Sequence, residues 1–253
     1  MRTTLIAVAW LTLGMNPVLA QHGGQGSPNA PTGANPGVQA HGSFQRMSHR
    51  KEFSAQVALK DAASGAGVYG VGALADLAGE ITLHDGTVFI SHGKNMDGRI
   101  DQRQAGDAEA VLLATARVGK WNEVAIPGAM KQAELQAFVV AQARAAGLDA
   151  QAAFPFLIRG DIENYRWHVV AAPNPHYGGH GGDAPMAKQF DAAGKKMTAE
   201  VVGFFSGDAL EGIISHPGEK FHEHLLDPAR TLTGHLDAYD IAAGTVLLLP
   251  ARH

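Results

Sequence analysis

The chain has 253 residues, 45% of them hydrophobic, and a formal net charge of −4. That is enough apolar sequence for one large core or two small ones. The charge, with no block of Lys or Arg, excludes nucleic acid or an anionic membrane surface as a main partner. Cysteine is absent, so disulfides, thiolate metal ligands and thiol nucleophiles are excluded, and a bound metal has only His, Asp or Glu to hold it.

Arg2 precedes an apolar run from Leu5 to Leu13 and a small-residue pattern ending at Ala20. A basic start, an apolar stretch too short to span a bilayer and a cleavage-site pattern predict a signal peptide over residues 1–20. The expected product is an exported bacterial protein, periplasmic or secreted, with no membrane attachment after cleavage. Residues 21–45 are rich in Gly, Pro and polar side chains and bury too little apolar surface to offset the entropy of ordering. They are expected to form a disordered leader with His22 and His41 solvated, and folded sequence is expected over 46–253.

Val68–Leu74 and Leu77–His84 read as strands, followed by Asp85-Gly86 and a third arm, Thr87–Ser91. Asp-Gly between two β-rich arms is a strong hairpin signal. On the arm before it, Glu80, Thr82 and His84 share one face, and Ile81 and Leu83 the other. Ala108–Val118 is a further strand. Lys131–Ala146 carries Leu135, Phe138 and Val139 at helical spacing and closes at Gly147, which predicts a core-packing helix. Phe154–Ile158 and Asn164–Val170 read as a second hairpin around Gly160-Asp161. The glycines around His176 and His180 forbid a stable helix and predict a loop. Thr245–Leu249 is a last strand. The fold class expected is α+β or mixed α/β, with two mixed β-sheet subdomains, a few packed helices and a break near 150–195.

The segment Phe221–Leu225 contains His222-x-His224, and Gly234-His235-Leu236-Asp237 follows a turn at Asp227–Arg230. Strand side chains alternate, so His222 and His224 share a face, and His235 can return to it from the next strand. Three imidazoles without a fourth strong protein ligand describe an open, catalytic type of Zn²⁺ site. Such ligation needs neutral imidazoles, so on this reading metal is released below about pH 6.

The combination of Gly79-Glu80 before the Asp-Gly hairpin, Val202-Gly203-Phe204, His222-x-His224 and Gly234–Asp237 resembles the acetolactate decarboxylase family, over Tyr69 to Tyr239. That resemblance implies a two-domain mixed-sheet fold, a Zn²⁺ or other divalent metal held by His222, His224 and His235, and conversion of 2-acetolactate to acetoin and CO₂. It matches Glu80 to the family's catalytic glutamate and Arg230 to the arginine of its turn. Where the family has a strand arginine this chain has His168, with Arg166 two residues earlier; where the family has a threonine it has Ala73. The family's C-terminal glutamate has no expected counterpart after Pro250. The catalytic set implied is Glu80, His168 and Arg166, with Arg166, Arg159 or Arg230 as the cation for a substrate carboxylate.

From the residues alone, without the resemblance, Glu80 reads as a solvated strand-end glutamate before a hairpin. Two other functions stay open: a metal-dependent enzyme acting on another small hydroxy-keto acid, and a non-enzymatic periplasmic metal-binding protein helped by the His176/His180 loop. A cupin also uses H-x-H on a strand, but Asp227 and Pro228 stand where a cupin places its glutamate. Assembly as a homodimer is left open.

Overall fold

The computed structural model describes residues 35–101, 107–179 and 184–251. The expected signal peptide and the leader as far as residue 34 lie outside them. Two antiparallel sheets and a few helices make up the fold, and the first sheet is built from six strands. These are β1 (Val38–His41), β2 (Val57–Ala58), β3 (Val68–Leu74), β4 (Gly79–His84), β5 (Thr87–His92) and β6 (Glu109–Arg117). Their order is β1-β6-β3-β4-β5, with β2 also on β6. The β4–β5 hairpin turns at Asp85 and Gly86, both at positive φ (50° and 76°), as the tight Asp-Gly turn requires.

The second sheet contains β7 (Trp121–Ala125), β8 (Phe154–Pro173), β9 (Ala187–Phe205), β10 (Phe221–Leu226), β11 (Thr233–Ile241) and β12 (Val246–Pro250). Its order is β11-β10-β9-β8-β12-β7, and β11 also pairs with β8. Every pairing among the described strands is antiparallel, where mixed sheets were expected.

Alternation sorts the side chains into layers. Tyr69, Val71, Ala114 and Ala116 of the first sheet pack on Leu157, Val202, Phe204 and Leu248 of the second. The outer face of the first sheet, including Ile81, Leu83 and Ile90, is covered by Leu59 of α2 (Leu59–Ala62). The outer face of the second is covered by α3 (Gln132–Ala145), whose Leu135, Val139 and Ala143 meet Phe154, Phe156, Val201 and Leu225. Apolar burial of this kind contributes roughly 25 cal/mol per Å².

Two expectations are corrected. The leader does not run to residue 45: β1 pairs with β6, and α1 (Phe44–Arg50) buries Phe44 and Met47. These apolar residues, isolated in a polar stretch, find their partners far away in the chain. His41 is therefore part of β1, opposite Leu113. Secondly, Gly160-Asp161 makes no hairpin. Residues 154–173 form one long strand, and at this point β8 changes neighbour, pairing with β12 through Arg159 and with β11 from Ile162 onward. Gly160 has φ +147° with Thr245 packed against it, so the glycine serves close approach within a strand. The region 150–195 carries the β8–β9 ribbon.

Candidate metal centre and catalytic site

The site lies between the sheets, where β10, β11 and β8 run side by side. His224 on β10 is directly opposite His235 on β11, and His235 is directly opposite His168 on β8. Directly opposed residues project to the same face, so three imidazoles form a row across three strands. His222 joins it from two residues along β10. His222 and His224 are buried at 2% and 0% exposure, and Leu225, the next residue, points into the opposite core.

Ligand nitrogens of His222, His224 and His235 all lie within 4.8 Å of one another, with His222 Nε2 and His224 Nε2 3.2 Å apart. His222 Nδ1 is 2.7 Å from the carbonyl oxygen of Ile214. A carbonyl only accepts, so Nδ1 carries the proton and Nε2 turns a lone pair toward the cluster. Burial pushes the His222 imidazole down to about 3, reinforced by His216 and opposed by the Ile214 bond. His224 and His235 are held well below the ordinary value, by burial and then by the surrounding histidines. All three are neutral near pH 7, the state that ligates metal. Converging nitrogen donors of this kind suit a divalent ion such as Zn²⁺.

Glu80 comes from the other sheet. It is 3% exposed, with Oε2 at 3.6 Å from His224 Nε2 and Oε1 at 3.9 Å from His168 Nε2. The Val170 backbone N–H donates to Oε1 at 3.2 Å. Burial raises the Glu80 carboxyl to about 7; His168 and the Val170 bond pull it down, and Asp237 adds to the rise. The reading of Glu80 as a solvated strand end is therefore excluded. His168 Nδ1 is 2.8 Å from Asp237 Oδ1. Burial lowers the His168 pKa, but the Asp237 bond and the Glu80 charge outweigh it, and the net shift is upward.

The arginines are placed elsewhere. Arg166 is exposed and lines no cavity beside the histidines: it shares the alternating face of His168, but two residues further along the ribbon. Arg159 Nε lies 3.2 Å from Glu200 Oε2, and Arg230 Nη2 lies 3.6 Å from the same oxygen. Both are committed to that carboxylate, as is His84. Ala73 is opposite Glu80 in the β3–β4 ladder and lines the cavity beside it. His176 is exposed, and His180 lies outside the described residues.

Beside the histidines is a cavity of about 250 Å³. Glu80, His168, His216, His222 and His235 form its polar wall, and Phe44, Met47, Ala73, Leu77 and Leu112 are on the apolar side. Sequence reasoning missed Asp237, although alternation from His235 puts it on the same face. It also missed His216, whose ring is 4.1 Å from that of Phe44; a histidine in a loop offers no periodic signal.

An X-ray structure of alpha-acetolactate decarboxylase from Bacillus subtilis strain 168 is similar at 15% identity and TM-score 0.66, over 85% of each chain. One of acetolactate decarboxylase from Bacillus subtilis subspecies spizizenii gives 16% and 0.65, over 84% of this chain and 85% of that one. A Staphylococcus aureus protein of unknown function, described as similar to alpha-acetolactate decarboxylase, gives 16% and 0.62 over 84% of each. At such identities the likeness shows the fold. No curated protein matches the chain. The profile of the family described as Alpha-acetolactate decarboxylase matches residues 41–252, a span that takes in every strand after β1 and every residue of the site, and the chain belongs to that family.

Proposed function

We propose that the protein is a metal-dependent carboxy-lyase that converts 2-acetolactate, or a closely related 2-hydroxy-3-keto acid, to a hydroxyketone and CO₂. The observation that carries this reading is the convergence of three neutral imidazoles with one buried carboxyl, Glu80, whose pKa is raised to about 7. His222, His224 and His235 would hold Zn²⁺ or another divalent ion. When bound, such an ion polarises the hydroxyl and keto oxygens of the substrate and stabilises the negative charge that develops as CO₂ leaves.

The residues of the chain account for the rest. Cleavage of the carboxylate–carbon bond leaves its electron pair on the former α-carbon, and that carbon must gain one proton. Glu80 is the donor: buried, with its pKa raised to about 7, it holds a proton at the site and is reprotonated from solvent after each turnover. His168, its charge supported by Asp237, meets the substrate carboxylate in place of an arginine. Phe44, Met47 and Leu77 exclude water from the apolar side. We propose further that the protein is exported, on the strength of residues 1–20.

The test is metal content and acetoin formation from racemic acetolactate by the purified mature protein. About one metal per chain with acetoin production supports the reading. Stoichiometric metal without turnover of any 2-hydroxy-3-keto acid overturns it in favour of a binding protein.

A further inference from the structure

His224 is 0% exposed, as are Thr82 and Thr233, so no bulk water competes for their polar atoms. His224 Nδ1 is 3.0 Å from Thr82 Oγ1, Thr82 Oγ1 is 2.7 Å from Thr233 Oγ1, and Thr233 Oγ1 is 2.8 Å from the Leu225 carbonyl oxygen. Each hydroxyl has one proton to give, so the direction of every bond follows from the last acceptor. Leu225 O only accepts, hence Thr233 donates to it. With that proton used, Thr233 Oγ1 accepts from Thr82. With its own proton used, Thr82 Oγ1 accepts from His224 Nδ1–H. The proton of neutral His224 therefore sits on Nδ1, and Nε2 turns a lone pair toward His222 Nε2.

We infer that Thr82 and Thr233 are positioning residues for the metal centre, a hydroxyl relay that fixes the tautomer and ring orientation of His224. This rests on the three-His reading of the site. The relay crosses between the sheets: Thr82 is on β4, two residues from Glu80, whereas Thr233 is on β11, two residues from His235. One strand of the first sheet thus supplies both the buried carboxyl and the orienting hydroxyl of a ligand on the second. Outer partners of ligating histidines typically contribute 10- to 100-fold in metal affinity.

The experiment measures Zn²⁺ and Co²⁺ affinity by chelator competition for wild type, Thr82→Val, Thr82→Ser, Thr233→Val and Thr233→Ser. It also reads the His224 tautomer in metal-free, ¹⁵N-histidine-labelled wild type by NMR. Expected are a 10- to 100-fold loss of affinity in each Val variant and recovery to within about threefold in each Ser variant. The NMR should show Nδ1 of His224 protonated. Val variants that bind metal as wild type does, or an Nε2-protonated His224 in wild type, overturn the relay. Wild type that binds no metal sinks the three-His reading instead. The NMR result then still decides the tautomer, and it needs no variant to fold.

Discussion

His168 faces two carboxylates at once, with Nδ1 2.8 Å from Asp237 Oδ1 and Nε2 3.9 Å from Glu80 Oε1. Asp237 is partly open to solvent whereas Glu80 is closed off. The imidazole therefore joins the cavity to a carboxylate at its rim, and a positive charge on it is supported from both sides.

Asp237→Asn should separate charge support from shape. The amide oxygen can still accept from Nδ1–H, but it brings no negative charge. With the Asp237 contribution gone, the His168 pKa falls and less of the residue is cationic near neutrality. The expected result is a KM about tenfold higher, a loss of about 1.4 kcal/mol, with metal content unchanged. A KM like that of wild type would remove His168 as the carboxylate partner.

For the metal, His222→Ala or His235→Ala should abolish stoichiometric binding, while His176→Ala should leave it intact, since His176 is exposed. The pH dependence departs from the expectation drawn from solvated imidazoles, which compete with metal near pH 6. Burial takes the His222 pKa down to about 3 and those of His224 and His235 far below ordinary. Protons therefore compete only in much more acid solution. Metal content measured after dialysis at pH 5 should still be close to stoichiometric; half-release near pH 6 would mean that the ligands are solvated.

The legible part of this molecule was the part governed by short-range rules. Alternation along β4 and β10 puts Glu80, Thr82 and His84 on one face and His222 with His224 on another, and Asp85-Gly86 fixes the hairpin between β4 and β5. What escaped depends on partners distant in sequence. Gly160-Asp161 has turn composition, yet a strand that changes neighbour needs the same lack of bulk. Phe44 has no local periodicity and is held through the bond from its backbone N–H to Ile213 O. Arg159 and Arg230 were candidates for a substrate carboxylate, but both are paired with Glu200, 41 residues from one and 30 from the other.

That Glu200 cluster should be visible in acid stability. Burial alone raises its pKa, but the His84 bond and charge, and then Arg159, bring it down to about 2, from an ordinary value of 4.5. The unfolded chain takes up the proton first, so the stabilisation is fully present above about pH 4.5 and is lost as pH falls toward 2. Glu200→Gln should lower stability by about 2 kcal/mol at pH 7, allowing for solvent screening. The gap to wild type should close between pH 4.5 and pH 2 in urea titrations. A gap independent of pH would show that the side chain acts through packing alone.

Glu80 has the opposite sign, and Glu80→Gln should reveal it together with its chemical role. Its folded pKa, about 7, lies above the ordinary 4.5, so the folded protein holds the proton more tightly than the unfolded chain does. Stability is undiminished below about pH 4.5 and falls as pH rises through 7, because ionising a carboxyl buried at 3% exposure is unfavourable. Glutamine keeps the size and the acceptor for the Val170 N–H but never ionises. Metal-free Glu80→Gln should therefore be more stable than metal-free wild type at pH 8, by about 3 kcal/mol, and equal to it near pH 4. Metal content should be retained, because the three imidazoles are untouched. Turnover should fall by about a hundredfold or more, the usual share of a general acid. A group kept in the site at a cost to stability and needed for turnover is one retained for chemistry. If the variant decarboxylates at the wild-type rate, the proton comes from elsewhere; if it is no more stable at pH 8, the carboxyl is better solvated than its burial between the sheets implies.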